Sequence, residues 1–119
     1  MLTRLISLKG GVAVNAVNIA DNDEIPEALT QLGIPHPQTV IVLVGGAGGI
    51  KWTEKFPMKK AINIVARLAE ETRSVVVDGG TQAGIMLEIG KQRKNNGFTF
   101  PLIGVVFDSL IIKEDPKSI

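Results

Sequence analysis

The sequence predicts an α/β fold: a Rossmann-like three-layer sandwich with a mostly parallel sheet and helices on both faces. Three observations carry that expectation. Two apolar runs, Val40-Ile41-Val42-Leu43-Val44 and Val75-Val76-Val77, are rich in β-branched residues and suit parallel strands covered on both sides. Each run breaks off into glycines, Gly45-Gly46-Ala47-Gly48-Gly49 and Gly79-Gly80. A segment with helical character follows each glycine stretch. Strand, turn and helix thus occur twice in one order. Two such units place both turns at the carboxyl edge of one sheet, where open α/β sheets bind ligands.

Composition narrows the class. A chain of 119 residues suits one domain. We expect a strand–helix extension over residues 1–37 and a core over 38–107. Apolar residues make up 45%, enough for buried strands and for a surface that self-associates into a dimer or larger homo-oligomer. The net charge of +1 points to no particular partner, and the scattered basic residues lack interleaved aromatics, so no nucleic acid is expected. With no cysteine, disulfides and thiol catalysis are excluded, and a single histidine, His36, argues against zinc. No cofactor is expected to be required. No stretch reaches the roughly 18 apolar residues of a membrane helix. The run before Lys9, broken by Arg4, is too short for a signal peptide. A cytoplasmic protein without membrane contact is therefore the expectation.

Taken in order, Gly10-Gly11 precedes a predicted strand over residues 12–19. Asn22 or Asp23 would cap a short helix from Glu24 to about Leu32, with Pro26 in its first turn and Gly33 at its end. His36 between two prolines reads as a linker residue rather than a general base. Residues 39–44 form a strand and 45–52 a glycine loop. That loop is no Walker A motif, because Ile50-Lys51-Trp52 stands where Gly-Lys-Ser/Thr belongs. It is no dinucleotide fingerprint either, since Lys51 replaces the third glycine. Met58, Ala61, Ile62, Val65, Leu68 and Ala69 recur at helical spacing, with Pro57 at the first helical position. Burial of the four large side chains would contribute about 1.5–3 kcal/mol each. Lys51, Lys55, Lys59 and Lys60 gather near the start of this helix, against its dipole, and are either solvated or held by a phosphate.

Asp78 ends the next strand. It either binds ribose hydroxyls, as acids there do in dinucleotide folds, or caps the glycine turn. Thr81 would cap a helix reaching about Asn95, with Ile85, Met86 and Ile89 toward the sheet. Gly84 inside its first turn costs about 1 kcal/mol against alanine, which implies close packing or close ligand approach. Lys91, Arg93 and Lys94 suit its negative end. Asn95-Asn96-Gly97 is a turn, residues 98–107 a last strand, and Lys113 to Ile119 a terminus or linker.

Three elements together resemble the SLOG superfamily, and most closely its LSDAT branch, which is similar to the cytosolic N-terminal domain of TRPM channels. They are Val44-Gly45-Gly46-Ala47, then Asp78-Gly79-Gly80-Thr81-Gln82-Ala83-Gly84-Ile85-Met86 with Gly90, then Pro101-Leu102-Ile103-Gly104-Val105. A more distant resemblance runs to the LOG phosphoribohydrolases, once called lysine decarboxylase-like, through Gly79, Gly80, Thr81, Gly84, Ile85 and Met86. LOG enzymes carry a further P-G-G-x-G-T-x-x-E element with the catalytic glutamate, and nothing after Val106 resembles it. The implied strand order is 3-2-1-4-5, with only the 3-2-1 half accounted for. Either the chain is a shortened form, or the N-terminal strand or a second subunit fills the missing edge.

The resemblance implies a sensor of a nucleotide derivative such as ADP-ribose or an NAD-derived signal. Backbone N–H groups at Gly45, Gly46, Ala47 and Gly48, and at Gly79, Gly80 and Thr81, would hold phosphates. Lys51 would add charge, Asp78 would meet ribose, and Gly84 would allow close approach. No catalytic residue is assigned. An alternative is a nucleotide phosphoribohydrolase or N-glycosidase using Asp78 or Glu88, although no second acid is evident. The other alternative is a non-catalytic oligomerisation scaffold whose glycines serve packing.

Overall fold

Alternation of apolar and polar residues shapes the N-terminus first. In the computed structural model, which describes residues 3–8, 12–34, 36, 39–44, 52–80 and 84–107, Arg4–Leu8 (β1) pairs antiparallel with Val12–Ala16 (β2). Ile6 points into a buried environment between exposed Leu5 and Ser7. The predicted strand over 12–19 therefore stops at Ala16, and it has a partner, β1, that the mixed residues Arg4 to Leu8 did not announce. These two strands form a sheet of their own. A 3-10 turn, Asn22–Glu24, leads into α1, Ile25–Gln31. Asp21, rather than Asn22 or Asp23, caps the 3-10 turn, and α1 follows it from Glu24 without a side-chain cap of its own. Asp21 accepts from the Asp23 N–H at 3.0 Å, while Glu24 accepts from the Asp21 N–H at 3.1 Å. This reciprocal box satisfies donors that a helix start otherwise leaves unpaired. Pro26 lies in the first turn and Gly33 follows the helix end, as expected.

The chain divides into two compact units, residues 1–36 with 107 onward, and residues 37–106. The second unit contains β3 (Val40–Val42), α2 (Trp52–Thr72), β4 (Val75–Asp78), α3 (Gly84–Asn95) and β5 (Leu102–Gly104). Its strands form one parallel sheet in the order β3-β4-β5. Val40 lies beside Val75, Val76 beside Leu102, and Asp78 beside Gly104. Strands laid down in one direction through right-handed crossovers carry their helices on one face. The packing agrees: Ile62, Ala66 and Ala69 of α2 and Ile89 of α3 gather with Val76 and Phe100. The α/β class and the parallel sheet thus stand. Among the described residues of this unit, both helices cover the same face.

The α2 helix corrects the periodicity. It begins at Trp52, so Pro57 lies inside it rather than at its start. Thr53, Glu54 and Lys55 are exposed and leave no apolar period to read. Ala61 and Leu68 are exposed, and Ala66 is buried in their place. The buried stripe is thereby rotated toward α3. The last strand is short because β5 pairs with β4 only over Val76 to Asp78. Before it, Phe100 enters the core as irregular chain. The Glu70 carboxylate accepts from the Thr99 and Phe100 N–H groups, both at 2.9 Å to one oxygen. Arg93 donates from Nε to the Phe100 carbonyl at 2.7 Å, and its guanidinium lies 5.6 Å from the Phe100 ring centre.

Candidate functional site

The carboxyl edge of β4 positions the site. Strand alternation puts Asp78 on the same face as Val76, the face that carries the helices. Asp78 is 8% exposed, and its Oδ1 accepts from the Gly80 N–H at 2.8 Å. That bond closes a turn through a side chain in place of a backbone carbonyl. It holds Gly80 at φ +70°, a conformation L side chains rarely adopt. The structure thus shows Asp78 capping the glycine turn. Burial pushes the Asp78 carboxyl above its usual range, and the Gly80 N–H partly opposes this.

The turn is wedged against β5. The Asp78 carbonyl accepts from the Val105 N–H at 3.0 Å, continuing the strand pairing. A Cβ placed on Gly104 would come 2.8 Å from the Gly80 Cα, closer than side chains are found. A Cβ on Gly80 would meet the Val106 Cβ at 3.3 Å, and one on Gly79 would meet the Met86 methyl at 3.1 Å. The strand-turn-helix passage is therefore a backbone-on-backbone contact between two glycines, with Met86 over its first residue.

A profile of the LSDAT family, described as SLOG in TRPM, prokaryote, matches residues 38–118. The chain belongs to this LSDAT family. No curated protein matches it. The matched region takes in β3 through β5, the turn at Gly79 and Gly80, and the glycine-rich sequence 45–49.

Of the residues the sequence singled out, this LSDAT domain brings Asp78, Gly79 and Gly80 together at one edge, and Gly84 is the first residue of α3. Gly45, Gly46, Ala47, Gly48, Lys51 and Thr81 lie outside the described residues. Lys55, Lys59 and Lys60 are exposed along α2. Glu88, the other acid considered, is buried and accepts from the Gln92 amide at 3.0 Å. Gln92 in turn accepts from Asn63 of α2 at 2.8 Å. This chain of side chains joins the two helices and gives Glu88 a packing role. Among the described residues, no group of three or more His, Asp or Glu could hold a metal ion. No helix among them is long and apolar enough to cross a membrane.

Sequence reasoning missed the part played by Gly104. The signal was present: a glycine inside the apolar run Leu102 to Val106 marks a place where another backbone comes close.

Proposed function

We propose that this LSDAT domain is a cytoplasmic sensor module that binds a nucleotide derivative, ADP-ribose or an NAD-derived relative, without transforming it. Family membership supports a nucleotide-related ligand-binding domain. One observation supports this reading: a glycine turn capped by Asp78 and packed against Gly104 at the carboxyl edge of a parallel sheet. The Asp78 bond to the Gly80 N–H restrains the start of this turn, which would lower the ordering entropy that opposes binding. The Gly80 N–H is taken by Asp78. Donors to a phosphate at this turn would therefore be those that follow it, from Thr81 onward, with Gly45 to Gly48 and Lys51 closing the site from the neighbouring strand. In a three-layer sandwich, further helices would cover the opposite face of the sheet.

The hydrolase alternative needs a carboxylate free to act on the sugar. Asp78 is occupied by the turn and Glu88 by Gln92, which favours the sensor. The test is native mass spectrometry with a thermal-shift screen against ADP-ribose, NAD, AMP and cyclic nucleotides. Stabilisation by a nucleotide recovered intact supports the sensor. A cleaved nucleotide makes the domain a hydrolase, and stabilisation by none leaves the scaffold. Gly80→Val should abolish the response by breaking the turn, and binding at parental affinity would remove this turn from the site. Lys51→Ala should flatten the salt dependence of binding.

A further inference from the structure

Three features of the second unit take no part in that site. First, the outer edge of β3 is unpaired among the described residues. The Thr39 carbonyl and the Leu43 N–H bond to β4. By alternation, the N–H and C=O groups of Val40 and Val42 face the open edge. Second, the Val40 and Val42 side chains, on the face away from the helices, are 52% and 63% exposed. Third, Ile64 and Leu68 of α2 are 66% and 50% exposed, and Ala61 is exposed beside them. Their three- and four-residue spacing makes one stripe. Asn63 reaches toward α3 through Gln92, so the stripe occupies the other flank of α2 and overhangs the β3 edge.

We propose that this edge is a homodimer interface. Two copies pair β3 with β3 antiparallel about a two-fold axis normal to the sheet, and α2 packs on α2. Val40 then sits opposite Val42 of the second copy, and their outward N–H and C=O groups bond to each other. The exposed valines become cross-strand pairs on one face. On the other, an α2 riding between β3 and β4 lies about 4.8 Å from the axis, one strand spacing. The two helices are thus about 10 Å apart, the distance at which helices pack. Their stripes of Ala61, Ile64 and Leu68 meet.

Charge selects a second copy as the occupant. Lys60 and Glu71 lie on the solvent side of the stripe toward its two ends, and neither has an ion-pair partner among the described residues. Antiparallel helices bring Lys60 beside Glu71 of the second copy, twice per dimer. One axis therefore satisfies a strand edge, an apolar stripe and two charges, each of which is complementary to itself.

The chain has no cysteine, so Ile64→Cys introduces its only thiol, close to the axis. Under mild oxidation the full-length Ile64→Cys protein should form a disulfide-linked dimer. Phe56→Cys, exposed on α2 but turned off the stripe, should not. Sedimentation velocity should show a concentration-dependent dimer, without nucleotide. Lys60→Glu should weaken it by about tenfold or more, a loss of one ion pair plus a new repulsion in each symmetric half. Lys60→Glu combined with Glu71→Lys should restore it. A monomer at every concentration overturns the proposal, as does cross-linking equal at positions 56 and 64, or a dimer indifferent to the charge reversal. None of these readouts depends on whether the domain binds a nucleotide.

Discussion

At the level of single residues, the contact between the turn after β4 and strand β5 ranks three glycines. A side chain at Gly79 meets only the flexible end of Met86, so Gly79→Ala should change stability by less than about 1 kcal/mol. Gly80→Ala adds left-handed strain of about 1–2 kcal/mol. Gly104→Ala drives a methyl group into the Gly80 backbone and should cost about 1–3 kcal/mol. Urea denaturation of the three variants checks the order, and a Gly104→Ala protein as stable as Gly79→Ala would mean the strands part without resistance. Asp78 adds a pH signature. Its folded-state pKa is raised above the ordinary 3.8 by burial. Its contribution is therefore fully present below pH 3.8 and is lost as pH rises through the raised value. Asp78→Asn keeps an oxygen for the Gly80 N–H and carries no charge, so its stability should gain on the parent's as pH rises from 3.8. Parallel stability curves would show that burial does not control this carboxyl. The motif Asp78-Gly79-Gly80 was legible because glycines after a strand have few other uses. That Asp78 caps the turn was not legible, since it depends on where Oδ1 points.

Among the elements, helices were easier to find than to bound. The Met58-to-Ala69 period identified α2, yet its exposed first turns carry no pattern, and Pro57 misled because it also suits a first turn. Inside the helix, Pro57 cannot donate to the Thr53 carbonyl. Pro57→Ala should therefore raise stability by about 1–3 kcal/mol and increase helicity in far-ultraviolet circular dichroism. An unchanged melting temperature would show that the first turns bear no load. At its other end α2 grips the chain leading to β5 through Glu70, which no spacing rule anticipates, because its partners lie near Thr99. Glu70→Ala leaves the Thr99 and Phe100 N–H groups without that acceptor and should cost about 2–3 kcal/mol in denaturation, while Glu70→Gln should cost less.

For the molecule as a whole, the parallel sheet was legible from two β-branched runs and their glycines, but the expected cover on both faces holds only for β4, since Val40 and Val42 of β3 are exposed. The placement of helices was not legible. It follows from strand order, and strand order is set by packing among segments distant in sequence. Central β4 is paired on both sides and holds Val76, which is fully buried. Its amides should be the slowest to exchange with deuterium. The outward amides of Val40 and Val42 should exchange quickly in dilute solution and slowly in concentrated solution. Equal rates at both concentrations would leave that strand edge open.

The in-line order β3-β4-β5 also bears on how the domain forms. Each strand of the sheet is laid against the one made just before it, and each crossover helix closes over a strand already in place. Among the described residues, no strand of this sheet is inserted between two earlier ones. Each pairing nevertheless joins distant segments, Val40 to Val75 and Val76 to Leu102, so a whole crossover must close before its contacts form, which sets the pace of folding. The sheet can grow outward in step with synthesis, and its last strand to arrive, β5, brings the glycine on which the turn after β4 finally rests.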